Sequence, residues 1–265
     1  MAPAPPINPL TGKSAFVTGG AQRIGRAIAL ALAHCGADVA ISYRSSQAQA
    51  EQTAAEIAAL GRRSLAIPCD VRSEPSVRNA ISAVTTAFGR LDILVNNAAI
   101  FPSAALESLA LNQWDAVFET NARGPFLAAR EALPHLRNAR GRIINIGSLG
   151  GMRAWPGHAH YCASKAALHM LTQAMARAFA PDVAVNCVAP GFINVDESHG
   201  SGPSPVDPRS HPAAEQLAAA RFAAKTPMGR NGAADDVAQA VLFFAAGPHF
   251  ITGQILAVDG GLALT

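Results

Sequence analysis

The sequence predicts an α/β domain in which a parallel sheet is wound on both faces by helices. Two patterns carry that prediction. Short apolar runs of strand length, such as Ser14-Ala15-Phe16-Val17 and Leu91-Asp92-Ile93-Leu94-Val95, alternate with longer stretches whose apolar residues recur every three or four positions, such as Ile24, Ile28, Leu32 and Leu168, Leu171, Met175. Half of the 265 residues are hydrophobic and only 15% are charged, which is enough apolar side chain for one large core. Right-handed crossovers between successive strands then build the sheet, for which seven strands are expected. No internal repeat or second-domain linker interrupts the order. Residues 1–11 are expected to form a loose tail and residues 12–265 one domain.

The first strand, Ser14-Ala15-Phe16-Val17, runs into Thr18-Gly19-Gly20-Ala21-Gln22-Arg23-Ile24-Gly25, and Ile28 and Leu32 then open a helical stripe. A strand, a glycine-containing turn and a helix N-terminus let backbone amides approach a phosphate closely, and the helix dipole favours the anion. This is the dinucleotide fingerprint of a Rossmann-type fold, with Arg23 where the common pattern has its middle glycine. Gly19, Arg23, Ile24 and Gly25 are therefore candidate cofactor residues.

The second strand, Ala37-Asp38-Val39-Ala40-Ile41-Ser42, leads into Tyr43-Arg44-Ser45-Ser46. Where such a fold binds NAD, an acidic residue at this strand end holds the ribose 2′-hydroxyl and repels a 2′-phosphate. Here there is a guanidinium beside hydroxyls. Arg44 and Ser45, with Arg23 as a second positive charge, predict NADP(H), because arginine's planar fork suits a phosphate. The third strand, Leu65-Ala66-Ile67-Pro68-Cys69, ends at Asp70, which either meets the cofactor or caps the next helix, a task that Ser73 fits as well. Two later strands end at Asn96-Asn97-Ala98-Ala99 and at Ser148. Ligands of open parallel sheets bind outside the carboxyl ends of strands, so these residues should converge on one crevice.

Tyr161 and Lys165 follow, four apart on a helix whose stripe continues through Leu168, Met175 and Phe179. That spacing puts hydroxyl and ammonium on one face, turned toward the interior. A phenol with a pKa near ~10 exchanges protons at neutral pH only if a neighbour lowers that value, and Lys165 is placed to do so. The pair implies proton transfer to oxygen or nitrogen.

Taken together, the Thr18-to-Gly25 turn, Asn96-Asn97-Ala98-Ala99, Ser148 with Tyr161 and Lys165, Pro190-Gly191 after a strand, Thr120-Asn121-Ala122 and the terminal Val258-Asp259-Gly260-Gly261 resemble the short-chain dehydrogenase/reductase family from about Gly12 to Leu264. The resemblance implies that Tyr161 exchanges a proton with the substrate oxygen while hydride moves to or from nicotinamide. It implies that Ser148 holds that oxygen, that Lys165 binds the nicotinamide ribose and lowers the Tyr161 pKa, and that Asn121 holds a water linking the lysine to solvent. It also places Asp70 and Val71 against the adenine, the backbone of residues 97–99 along the cofactor, and Pro190, Gly191 and Ile193 near the nicotinamide. Val195 stands where the family commonly has threonine to anchor the carboxamide, and Asn194 adjoins it.

Phe101, Trp155 and Phe192 are candidate substrate contacts. Phe101 matches the ring-stacking phenylalanine of pteridine reductases, and Arg23 with Arg44-Ser45 also resembles that subgroup, although its best-known members carry aspartate at the Ser148 position. A core or rim phenylalanine is the alternative. Trp155, His158 and His160 are expected at the cleft mouth, and no metal site is expected, since histidines two apart without a carboxylate lack ligand spacing. Residues 194–225 are expected to form a substrate lid: glycines and prolines break residues 194–211, and residues 213–222 read as a short helix.

The net charge of +3 is scattered, which argues against nucleic-acid binding. Residues 1–9 lack the basic start and apolar run of a secretory signal, and no apolar run reaches about 18 residues, so a cytoplasmic protein with no membrane partner is expected. Four single cysteines read as small packers; Cys162 should turn about 100 degrees of helix away from Tyr161. Residues 111–136, read as a long apolar helix, and the Tyr161 helix have more hydrophobic face than one sheet covers; the resemblance implies that such helices are buried between subunits of symmetric dimers or tetramers, and a homotetramer is expected. The function expected is NADP(H)-dependent reduction of a small-molecule carbonyl, a ketone or 3-oxoacyl group. Dihydropterin reduction and a catalytically silent NADP(H)-sensing protein are the alternatives.

Overall fold

The computed structural model describes residues 8–194 and 212–265. Most of the expected tail and residues 195–211 of the expected lid, Val195 included, lie outside the described residues. Strand β1 (Ser14–Val17) is followed by α1 (Arg23–His34), β2 (Asp38–Tyr43), α2 (Gln47–Ala59), β3 (Ser64–Pro68), α3 (Glu74–Phe88) and β4 (Ile93–Asn96). The second half contributes α4 (Leu111–Phe118), α5 (Gly124–Ala139), β5 (Arg142–Ile146), α6 (Ala159–Phe179), β6 (Ala184–Pro190), β7 (Ile193–Asn194), α7 (Pro212–Lys225), β8 (Gly232–Ala233), α8 (Ala234–Ala246) and β9 (Ile255–Val258).

Seven strands form one sheet in the order β3-β2-β1-β4-β5-β6-β9, with every neighbouring pair parallel. The expected architecture is therefore present. Strand order reverses between β1 and β4, and that switch point opens the crevice in which such sheets bind ligands. The alternation of side chains along each strand divides the interior in two. Ala15 and Val17 pack with α1 and α8 residues such as Ile28, Leu32 and Val241, whereas Phe16 between them faces the layer holding Val84, Leu136 and Met175.

The apolar stretch expected over residues 111–136 is not one uniform helix. A π-helical turn, Glu119–Arg123, separates α4 from α5. Pro125 supplies the reason: it has no N–H for the carbonyl of Asn121 four residues earlier, so the α-helical ladder cannot pass unbroken. The two-residue ladder between β7 and β8 was not expected either. Asn96, Asn145 and Thr172 form a buried chain under the sheet's carboxyl end, with the Asn96 amide donating to Asn145 at 2.8 Å and the Asn145 amide to Thr172 at 2.9 Å. It joins β4, β5 and α6, the three elements that carry the site.

Candidate active site

A continuous cleft of about 1890 Å³ follows the carboxyl ends of the strands. It is lined at one end by Gly19, Arg23, Ile24, Gly25, Arg44, Ser45, Asp70 and Val71, along its middle by Asn97, Ala98 and Ala99, and at the other end by Phe101, Ser148, Trp155, Tyr161, Lys165, Pro190, Gly191, Phe192 and Ile193. Among the described residues, every one expected at the site except Asn121 and His160 is brought to this surface.

The turn after β1 is held by sequence-distant polar groups. Asn97 donates from its amide to the carbonyls of Thr18 and Gly19 at 3.0 and 2.9 Å, while the amides of Asn97 and Ala98 donate to the Thr18 hydroxyl at 3.0 and 3.1 Å. The side chain of Asn97 thus ties β4 to β1 and leaves the backbone of residues 97–99 along the cleft, where it was expected. Gly25 packs so closely that a Cβ there would lie 2.2 Å from the Gly19 carbonyl oxygen. Arg23 adopts a left-handed φ of 54° in the turn, a conformation costly for a residue with a side chain and readily taken by the glycine it replaces.

Arg44 and Ser45 are exposed at the rim beyond β2. Arg44 forms no ion pair among the described residues, and its positive charge contributes to lowering the Asp70 pKa, for which hydrogen bonds from Arg72 are the larger cause. Asp70 is not the cap of α3. Ser73 holds that position, accepting from the Ser76 amide, while the Asp70 carboxylate pairs with Arg72 at 2.6 Å.

At the other end, Ser148 is the residue after the β5 exit loop, 4% exposed, with its Oγ accepting the Gly150 amide at 3.0 Å and near enough to Tyr161 to act on its pKa. Lys165 is 3% exposed; its ammonium donates to the Ile146 carbonyl at 2.7 Å and stands 5.8 Å from the centre of the Tyr161 ring. Here one expectation is corrected. Burial pushes the Tyr161 phenol up to about 12, and the group that opposes this is Ser148, not Lys165. The lysine's ammonium is turned toward the Ile146 carbonyl, and burial lowers its own pKa to about 8. Tyr161 therefore holds its proton at neutral pH, and Lys165 is the member of the pair that titrates near it.

Asn121 is wholly buried and does not line the cleft. Its Oδ1 accepts the Ile100 amide at 2.9 Å, and its Nδ2 donates to the Ile100 carbonyl at 3.0 Å and to Ser164 Oγ at 3.1 Å. It fastens the π turn to the segment that carries Phe101 and to α6.

Phe101 is not an open stacking platform. His158 lies against one face at 4.2 Å between centroids with 10° between planes, and Tyr161 meets the ring edge-on at 4.5 Å. Trp155 is near parallel to Tyr161 at 6.3 Å, so these four rings make one wall. His158 borders the cleft as expected, but His160 does not. It is wholly buried, with neither ring nitrogen hydrogen-bonded among the described residues, because its position on α6 faces inward. Opposite, Phe192 stacks on Phe222 of α7 at 4.5 Å, and Asn194 accepts from the Asn231 amide at 3.1 Å. Sequence reasoning missed Arg153 and Thr265, which also line the cleft and which no local pattern marks, and it did not single out Phe222 and Lys225 within the expected lid. Among the described residues no cluster of three metal-ligating side chains occurs. No helix of the described residues is long and apolar enough to cross a membrane.

A family model described as enoyl-(acyl carrier protein) reductase matches residues 19–263. The 3-oxoacyl-[acyl-carrier-protein] reductase FabG of Staphylococcus aureus is 40% identical over 253 residues, covering 94% of this chain and 98% of that protein. A short-chain dehydrogenase from Burkholderia cenocepacia in complex with NADP superposes with a TM-score of 0.83 at 41% identity, over 96% of this chain and 98% of that one. A blue fluorescent protein from a metagenomic library, in complex with NADPH, gives 0.84 at 37% identity over 96% and 99%. The chain belongs to the short-chain dehydrogenase/reductase family. It is an oxidoreductase whose cleft suits a nicotinamide dinucleotide.

Proposed function

We propose that this enzyme uses NADP(H) to reduce a carbonyl of a small molecule, a ketone or a 3-oxoacyl group. The observation that carries the reading is Tyr161, a phenol that keeps its proton at neutral pH, placed with Ser148 at the end of a cleft that begins at Arg44. A protonated group is what reduction requires, because the carbonyl oxygen must gain a proton as its carbon gains hydride.

The residues present fit the cofactor. Gly19 and Gly25 let the turn close tightly against Asn97 and Ala98, which brings the α1 N-terminus to the cleft, and Arg44 offers a 2′-phosphate a guanidinium with no ion-pair partner among the described residues. When bound, NADPH supplies the hydride. Tyr161 Oη gives its proton to the substrate oxygen and is left as phenolate until solvent restores the proton, while the Lys165 ammonium, which lines the cleft, would hold the nicotinamide ribose. Ser148 Oγ, which accepts from Gly150, has its own hydrogen free to donate to the same oxygen. With both side-chain ends of Asn121 committed, any water it holds falls to its main-chain carbonyl, which Pro125 leaves without an α-helical donor.

The Burkholderia relative in complex with NADP supports the cofactor, and the FabG relatives support a 3-oxo substrate. The covered face of Phe101 weighs against a pterin platform. Initial rates of NADPH oxidation with a panel of 3-oxoacyl thioesters, simple ketones and dihydropterins test the reading. Turnover of a ketone or thioester is expected; turnover confined to pterins, or none at all, would overturn it.

The rate should also depend on pH. Lys165 is charged below about 8 and neutral above it, so kcat/KM for reduction should fall as pH rises through about 8 while Tyr161 stays protonated. A flat profile across that range would remove Lys165 from the mechanism.

The enzyme is further proposed to be a homotetramer of the cytoplasm. Leu111, Phe126 and Met170 on α4, α5 and α6 are 74%, 42% and 65% exposed, an apolar face suited to helix packing between subunits. All four cysteines are free, in keeping with a reducing compartment. Sedimentation at micromolar concentration should give a tetramer, and a monomer alone would reject that assembly.

A further inference from the structure

His169 takes no part in the chemistry above, yet the turn that presents Ser148 rests on it. It follows Tyr161 and Lys165 at the same four-residue spacing on α6, so all three project from one face. Its ring, 8% exposed, reaches under the end of β5, where Nε2 accepts the Ser148 amide at 3.4 Å. The bond is long, so its weight is directional.

The packing around the ring is tighter than that bond. A Cβ at position 147 would lie 2.3 Å from His169 Nε2, and one at position 151 would lie 2.6 Å from Cε1. Neither glycine has a left-handed φ. Clearance, rather than backbone conformation, therefore accounts for glycine at both ends of the Ser148 turn: the imidazole is the nearest obstacle at each, with Cys187 Sγ at 2.7 Å beside position 147 and the Lys165 backbone at 2.8 Å beside position 151. The imidazole is also in the form the geometry needs. Burial and the charge of Lys165 lower its pKa to about 4, so at neutral pH the ring is uncharged and Nε2 can accept, with the proton on Nδ1.

We infer that His169 is a positioning residue: by bracing Gly147 and Gly151 and accepting the Ser148 amide, it fixes the turn from which the Ser148 hydroxyl meets Tyr161. The inference rests on the carbonyl-reductase reading for its effect on rate, but not for its effect on the turn. A histidine that merely fills space would affect folding without affecting Ser148 in particular.

Two variants separate these roles. His169→Leu keeps apolar volume and loses the acceptor, whereas His169→Gln places a carboxamide oxygen at similar reach. In His169→Leu, kcat should fall by about 10-fold or more, the scale of a misplaced catalytic group, with NADPH affinity held within about twofold. His169→Gln should recover most of that loss. In a Ser148→Ala background the Leu variant should cost little more, because the two act through one hydroxyl. Amide hydrogen exchange followed by NMR provides a readout independent of turnover: the Ser148 amide should exchange about 10-fold faster in His169→Leu than in the wild type or His169→Gln. Unchanged Ser148 exchange, or losses of kcat that add fully in the double variant, would overturn the inference. If the wild type turns over no carbonyl, the functional reading fails and the exchange measurement still decides the role of His169.

Discussion

Tyr161→Phe is expected to lower kcat for carbonyl reduction by about 10²-fold or more, the scale of lost general-acid catalysis, with NADPH affinity little changed. The substitution is selective. Phe keeps the edge-on contact with Phe101 and the near-parallel packing against Trp155, so the aromatic wall survives while the phenolic proton is removed. The loss should therefore appear in kcat, with the dinucleotide Kd from fluorescence titration unmoved. Turnover near that of the wild type would show that another group, or water, protonates the product.

Arg44→Asp is the second large effect. The guanidinium stands exposed at the end of β2, where a 2′-phosphate would lie against Ser45. A charge-assisted hydrogen bond to a phosphate contributes about 1.5–3 kcal/mol, so its loss should weaken NADPH binding by about 10- to 100-fold. The new carboxylate adds repulsion toward the phosphate and an acceptor for a 2′-hydroxyl, so the preference should turn toward NADH. Fluorescence titration with both dinucleotides reads the change. A variant that still prefers NADPH would move phosphate recognition from Arg44 to Arg23 or elsewhere.

Much of this could be read from residue order because local physics writes it there. The two-residue period of Ala15, Phe16 and Val17 and the helical period of Ile28 and Leu32 are properties of single elements, and the layered sheet follows from their alternation. The cofactor turn was legible from its strand, glycine and helix order, although the contacts that hold it come from Asn97 and Ala98, far along the chain. The π turn was also written locally, in Pro125, and the apolar pattern over residues 111–136 concealed it. What was not legible depends on distances between elements. The Tyr161 pKa is a contest between burial and neighbouring groups, and spacing alone places Lys165 on the right face without showing that its ammonium is turned to Ile146. His160 was expected at the cleft mouth from its place in the chain between Ser148 and Tyr161, but the inward turn of α6 buries it. Phe101 looked available because its neighbours in the wall, His158 and Trp155, come from a segment more than fifty residues away.

The central claim is that Tyr161 protonates a carbonyl whose carbon receives hydride from a nicotinamide held in the cleft. Single-turnover reduction of an active ketone or 3-oxoacyl thioester by NADPH deuterated at the transferring position of the ring, with the product analysed by mass spectrometry, tests it most directly. One deuterium on the new carbinol carbon is expected with the wild type, and the same product about 10²-fold more slowly with Tyr161→Phe. Product without deuterium, or equal rates from the two proteins, would contradict the account.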